Sequence, residues 1–126
     1  MNPHYLFTED APRPIGPYSQ AVECGGLIFI SGQIPLDPKT GEICGDTTEG
    51  QAEQVLGNLR AILRAQALDF SSLVKTTVFL TDIQDFPAFN RVYSSHLQKN
   101  APARSVVQVS RLPKGVKVEI EAVACR

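Results

Sequence analysis

Residues 101–124 read APARSVVQVSRLPKGVKVEIEAVA, and the placement of their charges decides how the chain is understood. Both halves have the β-branched content of strands. Yet Arg104 opens the first half, and Glu119 and Glu121 lie inside the second. In the second half, alternation puts Val116, Val118, Ile120, Ala122 and Ala124 on one face, and Lys117, Glu119, Glu121 and Val123 on the other. The apolar set is expected to meet helices. The polar set faces away from the subunit's own core, so it either stays solvated or is covered by another chain. Between the halves, LPKG suggests a hairpin joining 105–111 to 116–124. That pairing would set Arg104 diagonal to Glu121, an ordinary cross-strand ion pair.

Composition narrows the function classes. A chain of 126 residues corresponds to about one domain, able to bury roughly two-thirds of its unfolded surface. Its charged fraction of 20% and hydrophobic fraction of 43% are those of an ordinary globule. The net charge is −1, with no basic run, so the electrostatic footprint of nucleic-acid or anionic-membrane binding is missing. No apolar run approaches a membrane span, and MNPHYLFTEDAPRPIG lacks the cationic start and apolar core of a secretory signal. A cytoplasmic location is expected.

Cys24, Cys44 and Cys125 form no CxxC pair, and His4 and His96 have no companion at ligand spacing, so no metal site is expected. GxSxG, P-loop and GxGxxG signatures are absent, and no cofactor is implied.

Along the chain, residues 17–24 and LIFIS (27–31) read as strands about a Gly25-Gly26 turn. A Pro/Gly/Asp-rich loop with a turn at DPKTG follows. Ala52, Val55, Leu56, Leu59, Ile62 and Leu63 keep the helical period over 49–67, with Thr47 or Thr48 as cap. LVKTTVFL (73–80) is a strand. Asp82 or Asp85 caps a second helix that holds Pro87 in its first turn and ends at Ala101-Pro102. The order ββαβαββ argues for parallel pairing, with both helices on one face of the sheet.

Four blocks, in order, carry a wider resemblance: PIGPYSQAV, IFISGQIPLDPKTGEI, KTTVFLTDIQDFPAFNRVY and the opening stretch. They closely resemble the YjgF/RidA family of reactive-intermediate (enamine/imine) deaminases and span nearly the whole chain. The resemblance implies one chorismate-mutase-like α+β domain over 1–126, a mixed sheet with two helices on one face. It also implies a homotrimer with pockets between subunits. The family fold would set the last strand, antiparallel, between those at 27–31 and 74–80, against the hairpin reading.

The implied reaction is hydrolysis of 2-imino acids, such as 2-iminobutanoate and 2-iminopropanoate, to 2-oxo acids and ammonia. By this resemblance Arg104 binds the substrate carboxylate, as a planar guanidinium can. Glu121 orients the water, Tyr18 lines the pocket, and Glu119 is left to solvent or structure. Ser31 and Gly32 bring backbone close to the ligand, and Asn90 stands on the pocket side. Many family deaminases carry cysteine where this chain has Val106. Imine hydrolysis needs no covalent step, and only the backbone amide of Val106 need reach the carboxylate. Two other functions occur among family members: ligand-binding regulation or stress-related holding of proteins, and RNA cleavage. The retained Arg104 speaks against the first and the missing basic patch against the second.

Overall fold

The alternation in the last segment produces the central strand of the sheet. The computed structural model describes residues 2–126. Its strands are β1 (His4–Leu6), β2 (Ala21–Cys24), β3 (Leu27–Gln33), β4 (Leu73–Leu80), β5 (Ala103–Gln108) and β6 (Val118–Cys125). Two helices, α1 (Thr48–Ala65) and α2 (Phe86–Leu97), interrupt them. The sheet order is β1-β2-β3-β6-β4-β5, with β6 antiparallel to both of its neighbours. Only β4 and β5 are parallel, joined through α2, so the parallel pairing expected from the element order is confined to one pair. All other pairings are antiparallel.

The hairpin expectation for LPKG fails. β5 and β6 are not partners, because β4 lies between them. Residues Pro113–Gly115 form a single 3₁₀ turn, with Lys114 at φ 60° and Gly115 at φ 71°. This turn carries the chain past β4 and does not fold it back onto β5. The Gly25-Gly26 hairpin is present, both residues at positive φ, a backbone conformation that glycine adopts without steric cost. The three-residue β1 extends the sheet beyond β2 and has too few residues to show a period in sequence.

The helices cover one face. Val118, Ile120, Ala122 and Ala124 of β6 are buried with Val55, Leu59 and Leu63 of α1 and Phe89 and Tyr93 of α2. Thr47 caps α1 by accepting the Gly50 N–H at 3.0 Å. Asp85 stands at the start of α2 without capping it, because its carboxylate accepts from the Thr48 hydroxyl at 2.8 Å. Thr76 of β4 is fully buried, and its hydroxyl meets the Tyr93 hydroxyl at 2.7 Å.

The opposite face carries no helix. The β3–β6 and β6–β4 registers line up Phe29, Val123 and Lys75 across it, with Glu121 opposite Thr77 and Glu119 opposite Phe79. Phe29 is 48% exposed there, and Val107 of β5 is 43% exposed. Among the described residues, no helix is long and apolar enough to cross a membrane.

The Thr76–Tyr93 pair gives a direct test of the helix–sheet packing. Thr76→Val keeps the shape but leaves a buried phenol hydroxyl without a partner. It is expected to lower stability by about 1–3 kcal/mol, read by urea unfolding at fixed protein concentration.

Candidate functional site

The residues singled out in the sequence fall into two groups on opposite faces of the sheet. The first group surrounds a cavity of about 600 Å³ beside β3 and β6, lined by Tyr18, Ser31, Gly32, Lys114, Glu119 and Glu121. A register break between Ile30 and Gln33 of β3 opens this wall. There Ser31 and Gly32 leave the regular ladder opposite β6. The Ser31 hydroxyl donates to the Ser19 carbonyl at 2.6 Å, and its N–H donates to the Gln20 carbonyl at 2.9 Å. Ser31 therefore fastens the segment that carries Tyr18, whose side chain is 53% exposed. Gly32 has a specific steric role. A Cβ at that position would overlap the Glu119 carboxylate, so the glycine makes the room in which Glu119 sits.

Glu119 and Glu121 both line this cavity, but their surroundings differ. Glu121 is exposed, whereas Glu119 is half-buried. Burial, helped by the neighbouring negative charge of Glu121, holds the Glu119 carboxyl above the ordinary carboxylate range. Of the two alternatives expected for Glu119, solvent or structure, its half-burial does not fit the first.

The second group lies on the helix side, at the β5 edge. Arg104 donates from Nη1 to Asn90 Oδ1 at 2.8 Å. Its guanidinium lies over the Tyr93 ring at 4.7 Å and the Phe86 ring at 5.4 Å. Burial raises the Tyr93 phenol above its ordinary pKa, so the ring under Arg104 stays neutral. Among the described residues, no carboxylate forms an ion pair with Arg104. The guanidinium is thus aimed and supported, with N–H groups left over for an acid. Arg104, Val106, Phe86 and Pro87 border a second cavity of about 580 Å³.

The backbone of Val106 is also available. Val109 N–H donates to the Leu80 carbonyl at 2.8 Å. By alternation, the amides of Ser105 and Val107 point into the sheet, and that of Val106 points out of the open edge.

Arg104 stands opposite Thr76 on β4, while Glu119 stands opposite Phe79 and Glu121 opposite Thr77. Thr76 faces the helices and Thr77 the bare side. Besides lying on different faces, Arg104 and Glu119 are three β4 residues apart, about 10 Å along the strand. The diagonal Arg104–Glu121 pair expected from a hairpin is absent. Within one chain, Arg104, Asn90 and Val106 are brought together, and so are Tyr18, Ser31, Gly32 and the two glutamates. The two sets are not brought to each other. Sequence reasoning gave Tyr93 and Phe86 no role at the site and did not foresee them as the platform under Arg104. Their spacing from Asn90 on one helix was the available signal.

The chain is a two-layer α+β domain with an aimed arginine and a carboxylate-lined cleft, and comparison with known proteins specifies its family. A family model described as endoribonuclease L-PSP matches residues 8–126. The 2-iminobutanoate/2-iminopropanoate deaminase of Escherichia coli is 52% identical over 96% of both chains. The crystal structure of the E. coli YjgF gene product superposes with a TM-score of 0.91 at 50% identity, covering 98% of both chains. E. coli TdcF with bound serine superposes with a TM-score of 0.90 at 48% identity, again over 98% of both. The chain belongs to the YjgF/RidA family.

The Glu119 environment has a sign that stability can test. Its pKa is higher folded than unfolded, so between those two values the folded state binds more protons. Stability is therefore expected to fall as pH rises from the ordinary carboxylate range toward neutrality. Glu119→Gln should flatten that slope and raise the melting temperature at neutral pH, as read by thermal unfolding from pH 4 to 8. Gly32→Ala should fold but displace the Glu119 carboxylate, visible as a shift in its side-chain carboxyl resonance.

Proposed function

We propose that the protein hydrolyses 2-imino acids to 2-oxo acids and ammonia, in clefts between the subunits of a homotrimer. The observation that carries this reading is the division of the site. One half is an arginine aimed by Asn90, Tyr93 and Phe86 without a carboxylate partner, and the other is a half-buried carboxylate in a cleft. Neither half is sufficient for the reaction. A neighbouring copy seated on the bare, partly apolar sheet face would supply the missing one and cover Phe29 and Val107. The 52% identity to a protein named as an imine deaminase supports the same chemistry.

On this reading, Arg104 takes the substrate carboxylate in a forked contact, with the Val106 amide beside it. Water adds to the imine carbon, and its proton passes to a carboxylate of the cleft. That proton is returned to nitrogen to give the carbinolamine. The carbinolamine hydroxyl proton is then relayed by the same carboxylate to the amino group as the C–N bond breaks, so that ammonia leaves and the 2-oxo acid remains. Glu119 suits this shuttle better than Glu121, because it is half-buried beside Gly32 and its carboxyl, held above the ordinary range, takes up a proton more readily. Glu121 supplies part of that shift by its charge. Tyr18 walls the cleft beside the reacting carbon.

A second reading has an observation behind it: TdcF binds serine, an amino acid that is not an imine. A small-ligand regulator would use Arg104 for the carboxylate and leave Glu119 without a chemical task.

Freshly generated 2-iminobutanoate separates the two by release of ammonia and 2-oxobutanoate. Glu119→Gln is expected to lower kcat by about 10²–10⁴, with calorimetric binding of 2-oxobutanoate little changed. Arg104→Ala is expected to weaken binding as well, by about 2–5 kcal/mol. If Glu119→Gln turns over normally while Glu121→Gln does not, the water-handling role returns to Glu121. Light scattering should give three chains per particle, and a monomer at micromolar concentration would sink the assembly. Co-expressing Arg104→Ala and Glu119→Gln chains should restore about one site in four, because each cleft draws its two halves from different copies.

A further inference from the structure

The wall of the Glu119 cleft includes a segment with no regular structure of its own. Residues 7–20 connect β1 to β2, and Pro12, Arg13, Ile15 and Tyr18 from this segment face the cavity. Fixing so many residues outside helix or sheet carries a large entropic cost. One side chain, that of Gln20, gathers four of the bonds that offset it.

Gln20 is 2% exposed. Its Oε1 accepts the Thr8 N–H at 2.7 Å, and its Nε2 donates to the carbonyls of Thr8 and Pro12, each at 2.9 Å. The carbonyl of Ala11, itself fully buried, shares the same amide group at 3.3 Å. All four partners are main-chain groups, so the carboxamide acts as the missing strand for Thr8–Pro12. Its own carbonyl takes the Ser31 N–H, and the adjacent Ser19 carbonyl takes the Ser31 hydroxyl. Residues 8–12, 19–20 and 31 are thereby tied at one point. Tyr18 leaves that point with a single local backbone bond of its own, from its N–H to the Gly16 carbonyl at 3.0 Å.

We propose that Gln20 is a positioning residue that sets where the Tyr18 phenol stands in the cleft, by fastening the 8–20 segment to the sheet. The proposal rests on the reading of this cleft as the reaction site. Only a primary amide at this length supplies one acceptor and two donors here. Methionine has similar length and none of these bonds, and an ionised glutamate keeps the bond from Thr8 N–H but turns the other contacts into oxygen–oxygen repulsion.

The test uses the full chain labelled with 3-fluorotyrosine, with the Tyr18 ¹⁹F resonance identified by its loss in Tyr18→Phe. Gln20→Met is expected to move or broaden that resonance while the Tyr93 resonance stays in place. Turnover of 2-iminobutanoate should fall on the order of 10²-fold in kcat, the scale set by a displaced active-site group, with KM little changed. In that background Tyr18→Phe should cost much less than in the wild type, because the two changes remove one function. An unmoved Tyr18 resonance, or fully additive losses, would overturn the proposal. If Gln20→Met does not fold, as judged from the Tyr93 resonance, Gln20→Glu carries the same comparison, and an unmoved Tyr18 resonance overturns the proposal there too. Wild-type turnover is measured first. A wild type that releases no ammonia fails the deaminase reading, while the fluorine resonance still decides the role of Gln20.

Discussion

Everything in this structure depends on β6 being paired along both edges while its two faces have opposite chemistry. A central strand is expected to be apolar on both sides when both are buried. β6 is apolar on the helix side only, where Val118, Ile120, Ala122 and Ala124 close the core. Its other side carries Glu119 and Glu121 in the middle of the sheet. Carboxylates at a sheet centre gain nothing from packing, and the partial burial of Glu119 costs it solvation, as its raised pKa records. The sheet therefore holds an energetic cost in the position where a cleft forms.

The alternation in 116–124 makes both faces legible in the sequence, because side-chain direction in a strand follows from local geometry alone. The α1 stripe, the Thr47 cap and the Gly25-Gly26 turn were legible for the same reason. Pairing was not. Whether β5 turns back onto β6 or is separated from it by β4 depends on contacts between distant residues, and LPKG is compatible with either outcome. Only the family resemblance placed β6 between β3 and β4. In the structure Lys114 and Gly115 both take positive φ, as central residues of hairpin turns also do, so the turn itself does not decide the pairing.

The candidate site shows the same division. Glu119 and Glu121 share one face, so alternation cannot tell them apart. What distinguishes them is position along the strand: Glu119 sits where Gly32 leaves space, and Glu121 sits nearer the open face. That difference belongs to the β3–β6 register and its break at Ile30–Gln33, which no single segment encodes. Gln20 was hidden for a related reason. A glutamine in a strand-like run reads as a polar surface residue, and its burial becomes visible only once Thr8, Ala11 and Pro12 fold over it.

The electrostatics of the two halves favour the proposed cleft over a site built within one chain. If Arg104 lay beside Glu119, its positive charge would lower the carboxyl's pKa and the shift that suits a proton shuttle would be lost. Holding them on opposite faces keeps the arginine unpaired and the carboxyl raised. In a cleft between copies, a bound substrate would place its own carboxylate against Arg104 and neutralise it. Glu119 would then face a neutral pair, in a site made drier by the cover, and its shift would persist at the moment a proton must move. The separation seen in one chain thus fits the proposed chemistry, in which the substrate would pair with the arginine and the glutamate would be free to act as acid and base.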